Sequence, residues 1–158
     1  MYTRLVTKDD MPVWLALAHE GDHIIGELIP DMAVFYKGFG EYMTAKMKKN
    51  EAFMVVDGNP ERCVGIAAFS RKNNRISFLG VTREADFQAI GGKLLGTLLG
   101  KMDITREITV NVIKSDNEFI KRERELYTEY GFIEAEAEVI EAGVPARLMK
   151  KPPVKSAT

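Results

Sequence analysis

A single cysteine stands in these 158 residues, so no internal disulfide can form. Cys63 lies in the apolar run Cys63-Val64-Gly65-Ile66-Ala67, where a buried, inert thiol is the expectation rather than a nucleophile. Charge of one sign is missing as well. The 22 basic residues face 23 acidic ones, a formal net charge of −1. That balance offers no electrostatic footing for nucleic acid or an anionic membrane surface. No apolar run is long enough to span a bilayer. Met1-Tyr2-Thr3-Arg4-Leu5 has no apolar core after its arginine, so a signal peptide is not expected. What is present suits a globular chain: 46% hydrophobic residues are enough for a sizeable core. The expectation is one domain over residues 1–151, a disordered tail over 152–158, and a reducing, cytoplasmic setting.

Periodicity divides the chain into alternating classes of element. Tyr2 to Val6 reads as a short strand. Thr7-Lys8-Asp9-Asp10, with Pro12 close behind, reads as a capping box for a helix with Trp14, Leu17 and Ala18 as its apolar stripe and Gly21 as its end. After Pro30, Met32, Phe35, Phe39, Tyr42, Met43 and Met47 recur at helical spacing, with Gly38 and Gly40 as possible bends. Ala52–Val56, Cys63–Ser70 and Arg75–Thr82 read as strands. Turns at Asp57–Pro60 and Arg71–Asn74 are too short for a parallel crossover, so an antiparallel meander follows.

Ile90–Met102 reads as a helix burying Leu94, Leu95, Leu98, Leu99 and Met102. Glu107–Val112 is a strand that should run parallel to Arg75–Thr82, because a helix separates them. Ser115-Asp116-Asn117-Glu118 reads as a second capping box. Phe132–Glu141 and Val144–Lys150 form a closing hairpin around Ala142-Gly143. The fold class is therefore α/β, with elements in the order β-α-α-β-β-β-α-β-α-β-β and no internal repeat.

The run Leu126-Tyr127-Thr128-Glu129-Tyr130-Gly131-Phe132 ends the last helix and opens the hairpin. Gly131 supplies the positive backbone angle that a helix end commonly uses. The run resembles the L-Y-x-x-x-G-F signature of the GNAT superfamily, the acyl-CoA-dependent N-acyltransferases, and the element order resembles that fold over nearly the whole chain. The resemblance implies a mixed, mostly antiparallel sheet of about seven strands flanked by about four helices. It also implies acetyl-CoA as acyl donor, an amine acceptor, no metal, and direct acyl transfer.

In that family the strand before the central helix pairs its backbone with the CoA arm, and the glycine-containing loop after it takes the pyrophosphate. The matching residues are Leu79, Gly80 and Val81, then Asp86, Phe87, Gln88, Ala89, Ile90, Gly91, Gly92 and Lys93. The physics is general, since unpaired N–H groups and the helix dipole favour an anion at a helix N-terminus. The loop departs from the family pattern in two registers. Counted without a gap from Val81, Asp86 stands where Arg or Gln is usual; in the other register Gln88 and Gly91 fit and Lys93 replaces a small residue. A tight strand-to-helix turn with no ligand is the structural alternative, and a non-catalytic acyl-CoA-binding module the functional one. A Rossmann-like nucleotide binder fits less well, because three antiparallel strands precede the glycine loop.

The resemblance makes Tyr127 the general acid toward the departing thiolate; the alternative is a hydroxyl that satisfies a buried backbone group. Glu123, one turn before it, has no ion-pair partner at helical spacing, whereas Glu118 has Arg122 and Lys121 has Glu125. An apolar setting would make Glu123 a candidate base; it could equally point outward or pair with a distant Lys or Arg. Ile120 stands where the family has Asn, and Asn117 is a candidate substitute toward CoA. His19 and His23, with Glu20, Asp22, Glu27 and Asp31, form a polar group that reads first as a solvated loop and second as a site for a cationic amine; metal is not expected. Gly92, Gly96 and Gly100 share a helix face, which allows close packing, including a homodimer contact. Glu134, Glu136 and Glu138 read as the solvent face of a strand.

Overall fold

The computed structural model describes residues 1–26 and 28–154. Its elements are β1 (Tyr2–Leu5), α1 (Met11–His19), α2 (Asp22–Ile25), α3 (Met32–Lys48), β2 (Ala52–Asp57), β3 (Arg62–Ser70), β4 (Arg75–Val81), α4 (Phe87–Leu99), β5 (Ile108–Ile113), α5 (Glu118–Glu129), β6 (Ile133–Glu141) and β7 (Val144–Lys151). A 3-10 turn over Lys8–Asp10 leads into α1. The seven strands form one sheet in the order β1-β2-β3-β4-β5-β7-β6. Every neighbouring pair is antiparallel except β4 and β5. Most of the tail lies at residues 155–158, outside the described residues; before it, Val154 N–H donates to Ile104 O at 2.8 Å.

Each face of the sheet has its own core. On one, Leu94, Leu95 and Leu98 of α4 and Ile120, Leu126 and Tyr127 of α5 pack against Val55, Phe69, Ile76 and Val110. On the other, Trp14 and Leu17 of α1 and Phe39 and Met43 of α3 pack against Met54, Ile66 and Ala68. Trp14 is fully enclosed there, edge-on to Phe39, Tyr42 and Phe78 at 5.9, 6.0 and 5.7 Å. Such pairs contribute about 0.5–1.5 kcal/mol each beyond their buried area.

Several boundaries differ from the sequence expectation, each for a local reason. α3 runs unbroken through Gly38 and Gly40, because the apolar stripe on either side holds it to the sheet. α4 begins at Phe87 instead of Ile90, since Asp86 caps it by accepting Ala89 N–H at 3.1 Å. It ends at Leu99, with Met102 buried beyond it. Asn117, not Ser115, caps α5, accepting Phe119 N–H at 2.8 Å, while the Ser115 hydroxyl accepts Asn117 N–H at 3.1 Å. On α5, Lys121 pairs with Glu118 at 3.7 Å instead of Glu125. The glycine stripe on α4 is not one packing surface: Gly92 sits under Tyr130, Gly96 meets nothing, and Gly100 is the C-cap.

One irregularity matters for function. Ala68 of β3 pairs with Phe78, and Phe69 with Ile76, so Ser77 is an extra residue in β4. Such a bulge bends its strand. β4 and β5 then pair only at Arg75↔Thr109 and Ile76↔Val110. Beyond that point both strands continue and part from each other, opening a slot through the sheet.

Candidate active site

The slot widens into a cleft of about 550 Å³. One bank carries Leu17 and Ala18 of α1 and Phe35, Phe39 and Tyr42 of α3. The other carries Phe119, Ile120, Glu123 and Tyr127 of α5. Leu79, Gly80 and Val81 of β4 line it along one edge, and Asn111 and Ile113 of β5 along the other.

α5 sets the two chemical groups. Its C-terminus closes as a Schellman turn: Gly131 at φ +91° donates its N–H to Thr128 O at 3.1 Å, and Phe132 N–H donates to Tyr127 O at 3.0 Å. That locks Tyr127, whose side chain is buried while it lines the cleft. Burial, and then the nearby Glu123, raises its hydroxyl well above the ordinary phenol value, so it is a proton-bearing group. Glu123, one turn earlier, is half-buried and lines the cleft. Burial alone pushes that carboxyl up to about 7; neither a hydrogen bond nor an ion pair offsets it. The outward-facing and ion-paired alternatives for Glu123 are not what the fold adopts. Cys63 is half-buried, and burial raises its thiol to about 11, which suits an inert residue.

The phosphate-loop candidates divide. Leu79, Gly80, Val81 and Phe87 line the cleft. Asp86, Gln88, Ala89 and Lys93 are exposed at the start of α4. Asp86 commits its carboxylate to one amide of that helix end, so it already answers part of the helix dipole. Ile90 is buried in the core. Gly91 faces inward: a Cβ there would come within 2.8 Å of Leu126 Cδ2. Gly92 would meet Tyr130 Oη at 2.7 Å, and that hydroxyl donates to Gly92 O at 3.1 Å. A Cβ at either glycine would press on Leu126 or Tyr130, so a bulky residue at 91 disturbs the α4–α5 packing as well as any ligand. Asn117 spends its side-chain oxygen on its own helix and stands outside the cleft lining.

The polar group near α2 does not converge on one point. His19 Nδ1 lies 2.7 Å from Asp22, with its ring stacked on Tyr36 at 4.0 Å. His23 Nδ1 instead lies 2.7 Å from Arg83 Nη2. Arg83 also gives its backbone N–H to the Glu20 carboxylate at 3.1 Å. Asp31 caps α3 by accepting Val34 N–H at 3.2 Å. Glu27 lies outside the described residues. Among the described residues no three His, Cys, Asp or Glu side chains are placed to hold a metal ion.

Three cleft residues went unseen in the sequence. Arg75 Nη2 donates to Glu141 at 2.8 Å, and Asn111 Nδ2 donates to the same oxygen at 2.9 Å. They come from β4, β5 and the end of β6, and no local pattern joins positions so far apart. The row Phe35, Phe39 and Tyr42 was visible, but only as part of a helix's recurring apolar spacing.

A family model described as "Acetyltransferase (GNAT) domain" matches residues 18–152. The solved structure of a ribosomal-protein-alanine N-acetyltransferase from Brucella melitensis is similar over 96% of this chain and 99% of its own, with 14% identity and a TM-score of 0.69. The paiA N-acetyltransferase from Thermoplasma acidophilum, solved with coenzyme A, is similar over 96% and 98%, with 14% identity and a TM-score of 0.69. yncA from Salmonella typhimurium, solved with its cofactor acetyl-CoA, is similar over 100% and 96%, with 14% identity and a TM-score of 0.67. No curated protein matches the chain.

Proposed function

This chain belongs to the GNAT acetyltransferase family, and from that premise we propose that it moves the acetyl group of acetyl-CoA directly onto the nitrogen of an amine. The observation that carries the reading is the parting of β4 and β5 after two residue pairs, with Tyr127 and Glu123 facing the opening. The freed edge of β4 at Leu79–Val81 offers backbone groups to the amide-bearing arm of CoA. The start of α4, from Asp86 through Lys93, faces the pyrophosphate through its exposed residues, with Asn117 as a candidate neighbour.

The reaction then needs few protein groups. The neutral amine attacks the thioester carbon, forming C–N, and the tetrahedral intermediate collapses with loss of C–S. Glu123 takes the proton released by nitrogen, directly or through one water. Tyr127 gives its proton to the departing thiolate. The apolar cleft wall keeps these groups in a low dielectric, where each transfer is steered by the protein instead of bulk water.

Calorimetry with acetyl-CoA, followed by thiol release on adding amines, tests the reading. Heat of binding and amine-dependent thiol release are expected. Silence at millimolar acetyl-CoA would return the chain to a non-catalytic module.

A further inference from the structure

The aromatic row on α3 has no role in the transfer chemistry just described, yet it faces the cleft. Phe35, Phe39 and Tyr42 recur at i, i+4 and i+7, so they share one helix face. Their rings stack in sequence, Phe35 on Phe39 at 6.0 Å and Phe39 on Tyr42 at 5.7 Å, and Phe78 lies 5.7 Å from Phe39. A wall of this kind recognises a flat apolar body and attracts a cation to its ring faces.

Charge in the cleft narrows the choice. Among its described lining residues, Glu20, Glu123 and Glu141 face Arg75 and Arg83. Arg75 is paired with Glu141, while Arg83 meets the Glu20 carboxylate through its backbone N–H and spends its guanidinium on the Glu20 carbonyl and His23 Nδ1. Glu123 is left without a counter-charge. When ionised it leaves the cleft one negative charge in excess, so one positive charge balances it. A carboxylate on the incoming molecule would add to that negative charge beside the aromatic wall, and a second cation would be stripped of water there.

Resting on the transfer reading above and narrowing it, we propose that the acceptor is a small monocationic amine on a flat apolar body, an arylalkylamine in chemical class. Phe35 is the specificity residue most open to test, because it lines the cleft and is not part of the buried core.

The experiment has two arms. Fluorine NMR titration of the protein with 4-fluorophenethylamine reads amine binding without any donor. Steady-state kinetics with acetyl-CoA compare phenethylamine, phenylalanine and spermidine. Phenethylamine should exceed both others in kcat/KM by about tenfold or more, the scale of a hydrophobic pocket's discrimination. Phe35→Ala should raise its KM more than it lowers kcat and broaden the fluorine titration to higher concentration, with acetyl-CoA heat unchanged as the control for folding. Equal or faster turnover of phenylalanine or spermidine would overturn the acceptor assignment and leave the transfer reading standing. Fluoroamine binding weakened by Phe35→Ala, in a protein that transfers acetyl to none of the three, would support the amine site while removing the transfer reading. An unshifted fluorine signal at millimolar protein and ligand overturns the site itself.

Discussion

Phe132 donates its backbone N–H to the carbonyl of Tyr127 at 3.0 Å and sets its ring edge-on to the tyrosine ring at 5.4 Å. Backbone and ring contacts together hold the tyrosine in place while its hydroxyl faces the cleft. Gly131 between them makes the geometry possible, at a backbone angle that an L-residue adopts at a cost of about 1–3 kcal/mol. Gly131→Ala should therefore lower the melting temperature by several degrees, and its Cβ would also crowd Lys151 Nζ. Thermal unfolding by circular dichroism measures it; an unchanged midpoint would show that the turn tolerates the extra carbon.

Removing the hydroxyl alone is the companion experiment. Tyr127→Phe keeps the ring contact with Phe132 and deletes the proton donor. Turnover should fall by about 10²-fold, the lower range for a general acid, while acetyl-CoA affinity holds. Unchanged turnover with chemistry rate-limiting would assign Tyr127 to packing.

Glu123 gives a pH signature. Its carboxyl titrates near 7 in the folded protein, against an ordinary 4.5. As a base it works when ionised, so kcat/KM should rise with pH through about 7, and Glu123→Gln should abolish that limb. Stability changes with the opposite sign. The folded state holds the proton more tightly than the unfolded chain, so its stabilising effect is full below about pH 4.5 and is lost as pH rises through about 7. The loss is at most about 3 kcal/mol. Glu123→Gln should therefore be more stable than the parent at pH 8 and similar at pH 4.5, by urea unfolding. A parent no less stable than the variant at pH 8 would place the carboxyl in water.

Asp86 joins two effects that a choice of substitution separates. Its carboxylate caps α4 and also brings negative charge to the helix end that CoA approaches. Asp86→Asn keeps a capping oxygen and deletes the charge. Acetyl-CoA should bind about two- to fivefold tighter, corresponding to about 0.3–1 kcal/mol, and added salt should shrink the gain. Asp86→Arg mixes the gain in charge with a lost cap. No tightening with Asn at low salt would place the pyrophosphate elsewhere.

Two glycines on α4 should respond in opposite ways. Gly91→Val drives new carbons into Leu126 and should destabilise by about 1–3 kcal/mol, as overpacked cores do. Gly96 has open space around it, so Gly96→Ala should stabilise by up to about 1 kcal/mol. Equal midpoints for the two would mean that α4 and α5 do not pack as described.

Local chemistry wrote much of the fold in readable form. Strands alternate or run apolar over six or seven residues, helices repeat at three and four, and Asp, Asn and Gly mark their ends. Those signals act within a few positions, so residues 52–82 could be read as a meander and Gly131 as a helix end at positive φ. Tyr127 could be named from the family resemblance of the helix end, and Glu123 because a helix places residues four apart on one face, whatever surrounds it.

The surroundings themselves were settled only by the tertiary structure. Whether Glu123 met a cation, water or an apolar wall depended on β4 and β5 coming apart, which depended on Ser77 being the extra residue against β3. That a Cβ at Gly91 would press on Leu126, from a helix 35 residues away, was not visible in its loop pattern. Arg75, Asn111 and Glu141 became neighbours through strand order, which periodicity does not encode. The sequence by itself determined most of the elements, the short α2 excepted, and which faces they bury, because those forces are short-ranged along the chain. The cleft, its charge and its aromatic wall arose from contacts between distant segments, and only the folded sheet decides which segments meet.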